Sequence, residues 1–482
     1  MKPLRIAVMA ITLATLSTIL PASASTTLAW KNAKKAVLPS GATGLPSGYL
    51  PTLSCVSVGN CEAGGAYDDA GGAVHALILN ESNGTWTTPT TLKAPAGAGS
   101  NPGMTVLGLS CSSLGNCSAA GSYQDASTNV QAFVANEVSG TWLTASEISL
   151  PANSLTTGQN AFLRSVTCSL PGDCSAVGSY LAGTTAAPRN LGFVANEIRG
   201  TWSSASQITL SASANFNPFV TINQIACSSI GNCVGDGYFI DANNVTQGLI
   251  IDEVNRNWQP GTTLTLPANA SAYAGASLSE VACVKGSGCT VYGIYSSNTG
   301  AVEGLSASGT SGHWSRSVEL TMPLNAGSNP HVFLYGFQGI DCSSFGNCAV
   351  GGQYLDNAGN YQGFLDNKVN GTWSNAVELI LPTGARSAGK NGGVVTISCP
   401  SNGNCRGGAA YLDGTGAYQA LVIVETNGSW HQGTKVVLPA GSTTVGIDGG
   451  IYALVCVTVN SCTATGSYLE PTAFYQGLTL SS

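Results

Sequence analysis

All sixteen cysteines of this 482-residue chain fall into eight copies of Cys-x5-Cys. The pairs are Cys55/Cys61, Cys111/Cys117, Cys168/Cys174, Cys227/Cys233, Cys283/Cys289, Cys342/Cys348, Cys399/Cys405 and Cys456/Cys462, and they recur every 56 to 59 residues. A fixed period of that size defines a repeat architecture and governs every later assignment.

Repeat two shows the plan of each unit. Val106 to Cys111 leads into a five-residue turn, and Cys117 to Tyr123 follows it. After a second turn come Val130 to Glu137, a tight Ser139-Gly140 turn, and Thr141-Trp142 running on to Leu150-Pro151. These are four short β segments bounded by Gly, Asn, Ser and Pro, and none has a useful helical apolar period. Four antiparallel strands repeated eight times predict an all-β fold, an eight-bladed β-propeller with strands A to D running outward from the axis. An open solenoid and two four-bladed rings are the alternatives.

The tryptophans favour the single ring. Seven of eight follow a cysteine pair within their repeat, whereas Trp30 precedes the first pair and the last repeat has none. The N-terminal segment from Thr26 through Trp30 to Pro39 is therefore expected to supply strand D of the final blade. That closure removes exposed sheet ends and ties the termini together. A tyrosine series, Tyr67, Tyr123, Tyr180, Tyr238, Tyr295, Tyr354, Tyr411 and Tyr468, is read as marking the end of strand B in every blade.

Lys2 and Arg5, the apolar run Ile6–Leu20 and the small-x-small site Ala22-Ser23-Ala24 read as a secretory signal over 1–24, leaving one propeller domain over 25–482. The chain is expected to be exported, secreted or cell-surface, without a transmembrane segment after cleavage, and monomeric. Export permits disulfides, and one even-numbered spacing implies them. Cys i and Cys i+6 face each other across an antiparallel turn, within bridging distance, so one disulfide is expected per A–B hairpin. These bridges are expected to act as staples on the face away from the D–A and B–C connections. Zinc is the rival, but it wants closer cysteines or nearby histidines. The four histidines are scattered at 75, 313, 331 and 431. Charged residues make up only 9% of the chain, with a net charge of −7, so nucleic acid is excluded as a partner. So little surface charge suits an acidic exterior. No cofactor is expected.

The segment before each Trp also repeats: Asn136-Glu-Val-Ser-Gly-Thr-Trp142, Asn196-Glu-Ile-Arg-Gly-Thr-Trp202, Asp252-Glu-Val-Asn-Arg-Asn-Trp258, Asn370-Gly-Thr-Trp373 and Asn427-Gly-Ser-Trp430. It resembles a relaxed Asp-box of the sialidase-like propellers, with Gly one residue off the family spacing and the box aspartate generally absent. The chain is similar, too, to exported bacterial repeat proteins with Cys-x5-Cys blades. The resemblance implies that the box is structural, with each Trp an apolar anchor between blades. Aspartates in the B–C turns, such as Asp356 and Asp413, read as turn-stabilising rather than calcium-binding.

The resemblance would imply an arginine triad around a carboxylate. Only Arg164, Arg189 and Arg386 belong near the D–A and B–C face; the first two lie in blade three and Arg386 enters blade seven, halfway round the ring, so they are not expected to converge on one carboxylate. Glu280, Glu303, Asp341 and Asp356 are the nearest carboxylates for glycoside hydrolysis, and no pattern marks them out. The D–A connections instead carry aromatics among amides. Phe216, Phe219, Tyr273, His331, Phe333, Tyr335 and Tyr452 are the candidate binding residues. The expected function is a non-catalytic module that recognises an extracellular glycan or protein at that face. A polysaccharide-acting enzyme with a degenerate site and a structural envelope protein are the alternatives.

Overall fold

The computed structural model describes residues 30, 32–45, 50–87, 89–211, 213–273, 275–310, 312–334, 338–386, 389, 391–440, 442, 449–471 and 474–482. The proposed signal segment and Tyr335 lie outside them. The described residues form eight separate antiparallel sheets and no helix. Blade two is representative: strand A is Thr105–Ser113, B is Asn116–Gln124 and C is Val130–Val138. The A strands pack side by side around one axis, from blade one to blade eight and back to blade one. The molecule is thus an eight-bladed propeller.

Strand D departs from the expectation of one continuous segment. In blade two it is two short pieces, Thr141–Trp142 and Ser146–Glu147, both paired with strand C. Between them the Ala145 N–H is donated to the Lys93 carbonyl of the preceding blade (2.9 Å). Equivalent bonds run from Ala205 to Ser149, Ala376 to Thr321 and Gly433 to Ile380. The outer strand gives up part of its own ladder to bond its neighbour.

Ring closure follows the same rule. Lys34–Lys35 pairs with Thr479 and Leu478 at the end of the chain, and Ala33 N–H bonds the Val437 carbonyl of blade seven. Lys34–Lys35 therefore stands as strand D of blade eight, while 26–29 of the expected strand lie outside the described residues.

All eight disulfides form across the A–B hairpins. They are Cys55–Cys61, Cys111–Cys117, Cys168–Cys174, Cys227–Cys233, Cys283–Cys289, Cys342–Cys348, Cys399–Cys405 and Cys456–Cys462. The turn residues explain the Ser-x-Gly-Asn sequence. Asn116 Nδ2 donates to Ser113 Oγ and the Leu114 carbonyl, and its Oδ1 accepts the Ser139 N–H of the C–D turn. Gly140 N–H bonds the Gly115 carbonyl at 2.9 Å. Ser139 (φ 49°) and Gly140 (φ 82°) form the two-residue hairpin turn that left-handed residues favour. Both turns therefore share one face, the disulfide face.

The staples are set deeper than their place on that face implies: ten of the sixteen cysteines are buried, Cys399 and Cys456 of strand A among them. The strand-B member of every pair is buried: Cys61, Cys117, Cys174, Cys233, Cys289, Cys348, Cys405 and Cys462. Seven of them belong to the apolar clusters between blades, Cys348 being the exception. The reason is the strand's period of two, which turns the residue after the turn asparagine towards the neighbouring blade. Hydroxyls of the preceding blade approach three of these sulfurs. Ser118 reaches Cys174 at 3.3 Å, Ser175 reaches Cys233 at 3.7 Å and Thr290 reaches Cys348 at 3.7 Å. The bridges therefore close the hairpins and also fill the seam to the preceding blade.

The apolar core lies between blades. One cluster joins Ala120, Val134 and Ile148 of blade two to Leu163, Tyr180 and Phe193 of blade three, with Trp202 packed against it. Each fully buried side chain of this kind contributes about 1.5–3 kcal/mol. Four of the indole edges make polar inter-blade contacts. Trp202 Nε1–H donates to Asn136 (3.2 Å), Trp258 to Asn196 (3.0 Å), Trp430 to Asn367 (3.0 Å) and Trp314 to Asp252 (3.2 Å). Asn196 Nδ2 and Asn367 Nδ2 also reach the buried Glu253 and Glu425 of the next blade, each at 2.5 Å.

The tyrosine series holds in every blade but the fourth. Tyr180 and Tyr354 are buried, with hydroxyls bonded to Asn153 and Asn325. In blade four Phe239 takes that buried place. Tyr238 lies one residue earlier, and because strand side chains alternate with period two it points to the other face.

Candidate functional site

The inner wall of the ring is shaped by a repeated β-bulge. In strand A the register with strand B slips between Val106 and Gly108, Leu163 and Ser165, Ile222 and Gln224, Leu278 and Glu280, Val394 and Thr396, and Ile451 and Ala453. One residue in each blade is thereby left out of the ladder: Leu107, Arg164, Asn223, Ser279, Val395 and Tyr452. Bulges of this kind re-aim a side chain. In five of these six blades a glycine faces the slip across the hairpin, and Ala409 takes that place in blade seven. A Cβ on Gly121 would lie 1.9 Å from the Thr105 carbonyl oxygen, and one on Gly178 would lie 2.0 Å from that of Phe162. Pro51 and Gln338 hold the same place in blades one and six.

All eight residues stand four positions before the first cysteine of their pair. Apolar residues flank them at five and two positions before it. Pro, Leu, Arg, Asn, Ser, Gln, Val and Tyr make eight different residues in eight repeats. Arg164, Asn223, Ser279 and Gln338 form a polar arc through blades three to six. Val395, Tyr452, Pro51 and Leu107 form an apolar arc through blades seven, eight, one and two.

Pro51, Leu107, Arg164, Asn223, Ser279 and Gln338 line an axial channel of about 580 Å³. Tyr238, Ile294 and Phe333 join the lining. Arg164 is the one charged side chain among the described lining residues, and its guanidinium lies 5.7 Å from the Phe162 ring centroid.

The wall itself is locked by polar bonds between adjacent A strands. Ser54 Oγ accepts the Cys111 N–H and Ser110 Oγ that of Cys168, each at 3.0 Å. Ser165, Gln224 and Glu280 accept the N–H groups of Ile225, Val281 and Ile340. Asp341 accepts those of Cys342 and Cys399, at 2.8 and 2.6 Å. These acceptors hold blades together, so Glu280 and Asp341 are occupied in the wall. Behind it, burial pushes the Asp236 carboxyl well above the carboxylate range, and the charge of Glu280 pushes it further.

The other carboxylates considered from sequence are placed apart. Asp356 caps the B–C turn, accepting the N–H groups of Ala358 and Asn360 and the Gln362 amide. Asp125, Asp241 and Asp413 do the same. Their exposed carboxyls are held below the usual range by these donors. Glu303 is raised to about 7 by burial and then by Glu319.

The arginines do not converge. Arg189 stacks on Phe216 at 4.9 Å and donates Nε–H to the Phe216 carbonyl, while Arg386 is exposed in blade seven's connection. Among the described residues the one metal-capable trio is Glu62 with Cys111 and Cys117, and that disulfide leaves no thiolate to ligate. The same holds round the ring. Cys174, Cys233, Cys289, Cys348 and Cys405 are bridged and buried, and none is among the channel-lining residues, so the cysteines are structural.

The candidate binding residues thus divide. Phe333 lines the channel, and Tyr452 occupies the ring position of blade eight, its ring lying over Gly450. Phe216, Phe219 and Tyr273 are exposed on the D–A connections, at 68%, 53% and 79%. His331 is exposed in a left-handed conformation (φ 41°). None of these four is among the channel-lining residues. Sequence reasoning missed Leu107, Asn223, Ser279 and Gln338, and it set Tyr238 in the wrong series. Two signals were available. One is the fixed offset at which repeats disagree. The other is the glycine opposite it.

No protein-family model and no curated protein matches the chain. Solved propellers are similar to it in shape. A polysaccharide lyase, an ulvan lyase of family PL25, has 11% identity and a TM-score of 0.42, covering 76% of this chain and 89% of its own. A Hadza microbial sialidase has 10% identity and a TM-score of 0.36, covering 91% and 66%. A neuraminidase-like protein from A/bat/Guatemala/164/2009 has 10% identity and a TM-score of 0.39, covering 83% and 94%.

Proposed function

We propose that this protein is an extracytoplasmic, non-catalytic binding module that takes a glycan at its axial channel. The observation that carries the reading is a strand-A position that differs in all eight repeats, six of whose residues line the channel. A frame whose flanking positions stay apolar while this position differs in every blade has the form of a recognition surface. The polar arc offers a guanidinium, two amides and a hydroxyl. Pro51 and Leu107 offer aliphatic surface. A sugar ring has that same division between its hydroxyl groups and its C–H face. Tyr238 and Phe333 add stacking surface, while Phe216, Phe219 and Tyr273 would extend the contact outside the channel. Eight disulfides suit an oxidising exterior. No helix among the described residues is long and apolar enough to cross a membrane.

Calorimetric titration with neutral and uronic-acid-bearing oligosaccharides tests the proposal. The expected result is one ligand at the axial channel of each chain, with Arg164→Ala and Tyr238→Ala each weakening that binding by about tenfold or more. Oligosaccharide binding untouched by both substitutions would overturn it.

A further inference from the structure

The outer edge of the ring carries a second, repeated kind of site. A groove opens between strand C of one blade and the Trp of the next at three equivalent places. Their volumes are about 370 Å³ at Asn136/Trp202, 460 Å³ at Asn196/Trp258 and 340 Å³ at Asn367/Trp430. In all three the indole N–H is fixed by the neighbouring asparagine. That bond pins the ring edge and holds a half-buried indole in the groove lining. The split in strand D forms the opposite wall, because the chain between its two pieces bonds the preceding blade instead of strand C. Serine or threonine hydroxyls complete each lining: Thr144 and Ser203 in the first, Ser206 and Thr209 in the second, Ser374 and Ser429 in the third.

The chemistry is alike in each groove: one aromatic ring held at a fixed angle by an asparagine, and several hydroxyls. Volumes of this size admit a single small ring. We propose that these grooves are a set of equivalent peripheral sites for single pyranose units, separate from the axial channel, and that they make the ring multivalent. The apolar C–H face of the sugar lies on the indole, and its hydroxyls meet the serine and threonine hydroxyls of the lining. Blade six provides a contrast, because Lys368 places its ammonium 5.7 Å from the centre of the Trp373 ring, over the ring itself. Sites of this size bind weakly, in the millimolar range. Their strength for a surface displaying many sugars comes from simultaneous occupation.

Indole N–H resonances of the ¹⁵N-labelled protein read each site separately. The probes are the methyl glycosides of glucose, galactose, mannose and N-acetylglucosamine. With at least one probe the Trp202, Trp258 and Trp430 signals are expected to shift together, while Trp373 stays still. Thr144→Trp places bulk in the first groove from an exposed position, so the fold is kept. It should abolish the Trp202 shift and leave those of Trp258 and Trp430. The proposal fails if none of the three signals moves with any probe. It also fails if Arg164→Ala removes the shifts, since binding would then be axial, or if Thr144→Trp silences all three.

Discussion

Asp366 allows the electrostatics of this fold to be tested at one atom. It sits in strand C of blade six and is 1% exposed. Its Oδ1 accepts the Asn367 N–H (2.7 Å) and the Ser374 hydroxyl (2.5 Å), while Oδ2 has no partner. Burial raises its pKa from 3.8 to about 7 against the pull of those donors. In the unfolded chain the carboxyl ionises from about pH 4, but the folded state holds its proton until about pH 7. The folded form is therefore undisturbed in acid and is penalised as pH rises between those values. The full penalty is up to about 4 kcal/mol once the pH exceeds 7. Asp366→Asn keeps the acceptor and removes the ionisation. Urea unfolding of the oxidised protein should show the two forms within about 1 kcal/mol near pH 4, with the variant about 2–4 kcal/mol more stable near pH 8. A variant whose offset is the same at both pH values would refute the reasoning. Glu62, raised to about 8, and Glu303, raised to about 7, act in the same direction.

Three further outcomes follow from the packing. Replacing Cys111 and Cys117 by alanine together should lower stability by about 2 kcal/mol, measured by urea midpoint, since a short loop constrains the unfolded chain only modestly. Asn196→Ala removes the partner of Trp258 and of Glu253 at once and should cost about 1–3 kcal/mol, whereas an exposed change such as Asn257→Ala should cost little by the same measurement. Phe239→Ala should cost about 3–5 kcal/mol as a core deletion, while its neighbour Tyr238→Ala should leave the thermal midpoint nearly unchanged.

Much of the fold was legible because it is carried by residues that repeat for packing reasons. Cys, Trp and the Ser-x-Gly-Asn turn recur from blade to blade, and the missing Trp after Cys462 pointed to Trp30 and ring closure. The spacing gave the disulfide partners but not their surroundings: burial of Cys174 or Cys405 depends on the facing blade, which is distant in sequence. Tyr238 shows where counting fails. A tyrosine at about the right place satisfied the tally, yet one residue of displacement moves a strand side chain to the opposite face. The split in strand D was hidden for another reason: its cause is a hydrogen bond to a neighbouring blade, and backbone bonds leave no mark in side-chain identity. The axial site was the least legible. Its residues share a position and no chemistry, so a search for shared residue types passes over them. The exposed aromatics of the D–A connections stood out instead, because aromatic residues are conspicuous in a chain rich in Gly, Ser and Ala.

The bulge in strand A has an evolutionary consequence. Its residue belongs to neither ladder, and the apolar positions around it carry the packing. Proline, arginine and tyrosine already occupy the same place in different blades under one unchanged frame. Under the proposed function, ligand preference would drift one blade at a time without a matching change in the core. Duplicated blades that begin alike can diverge into an asymmetric reader, and a designer could rewrite the same eight positions as an alphabet.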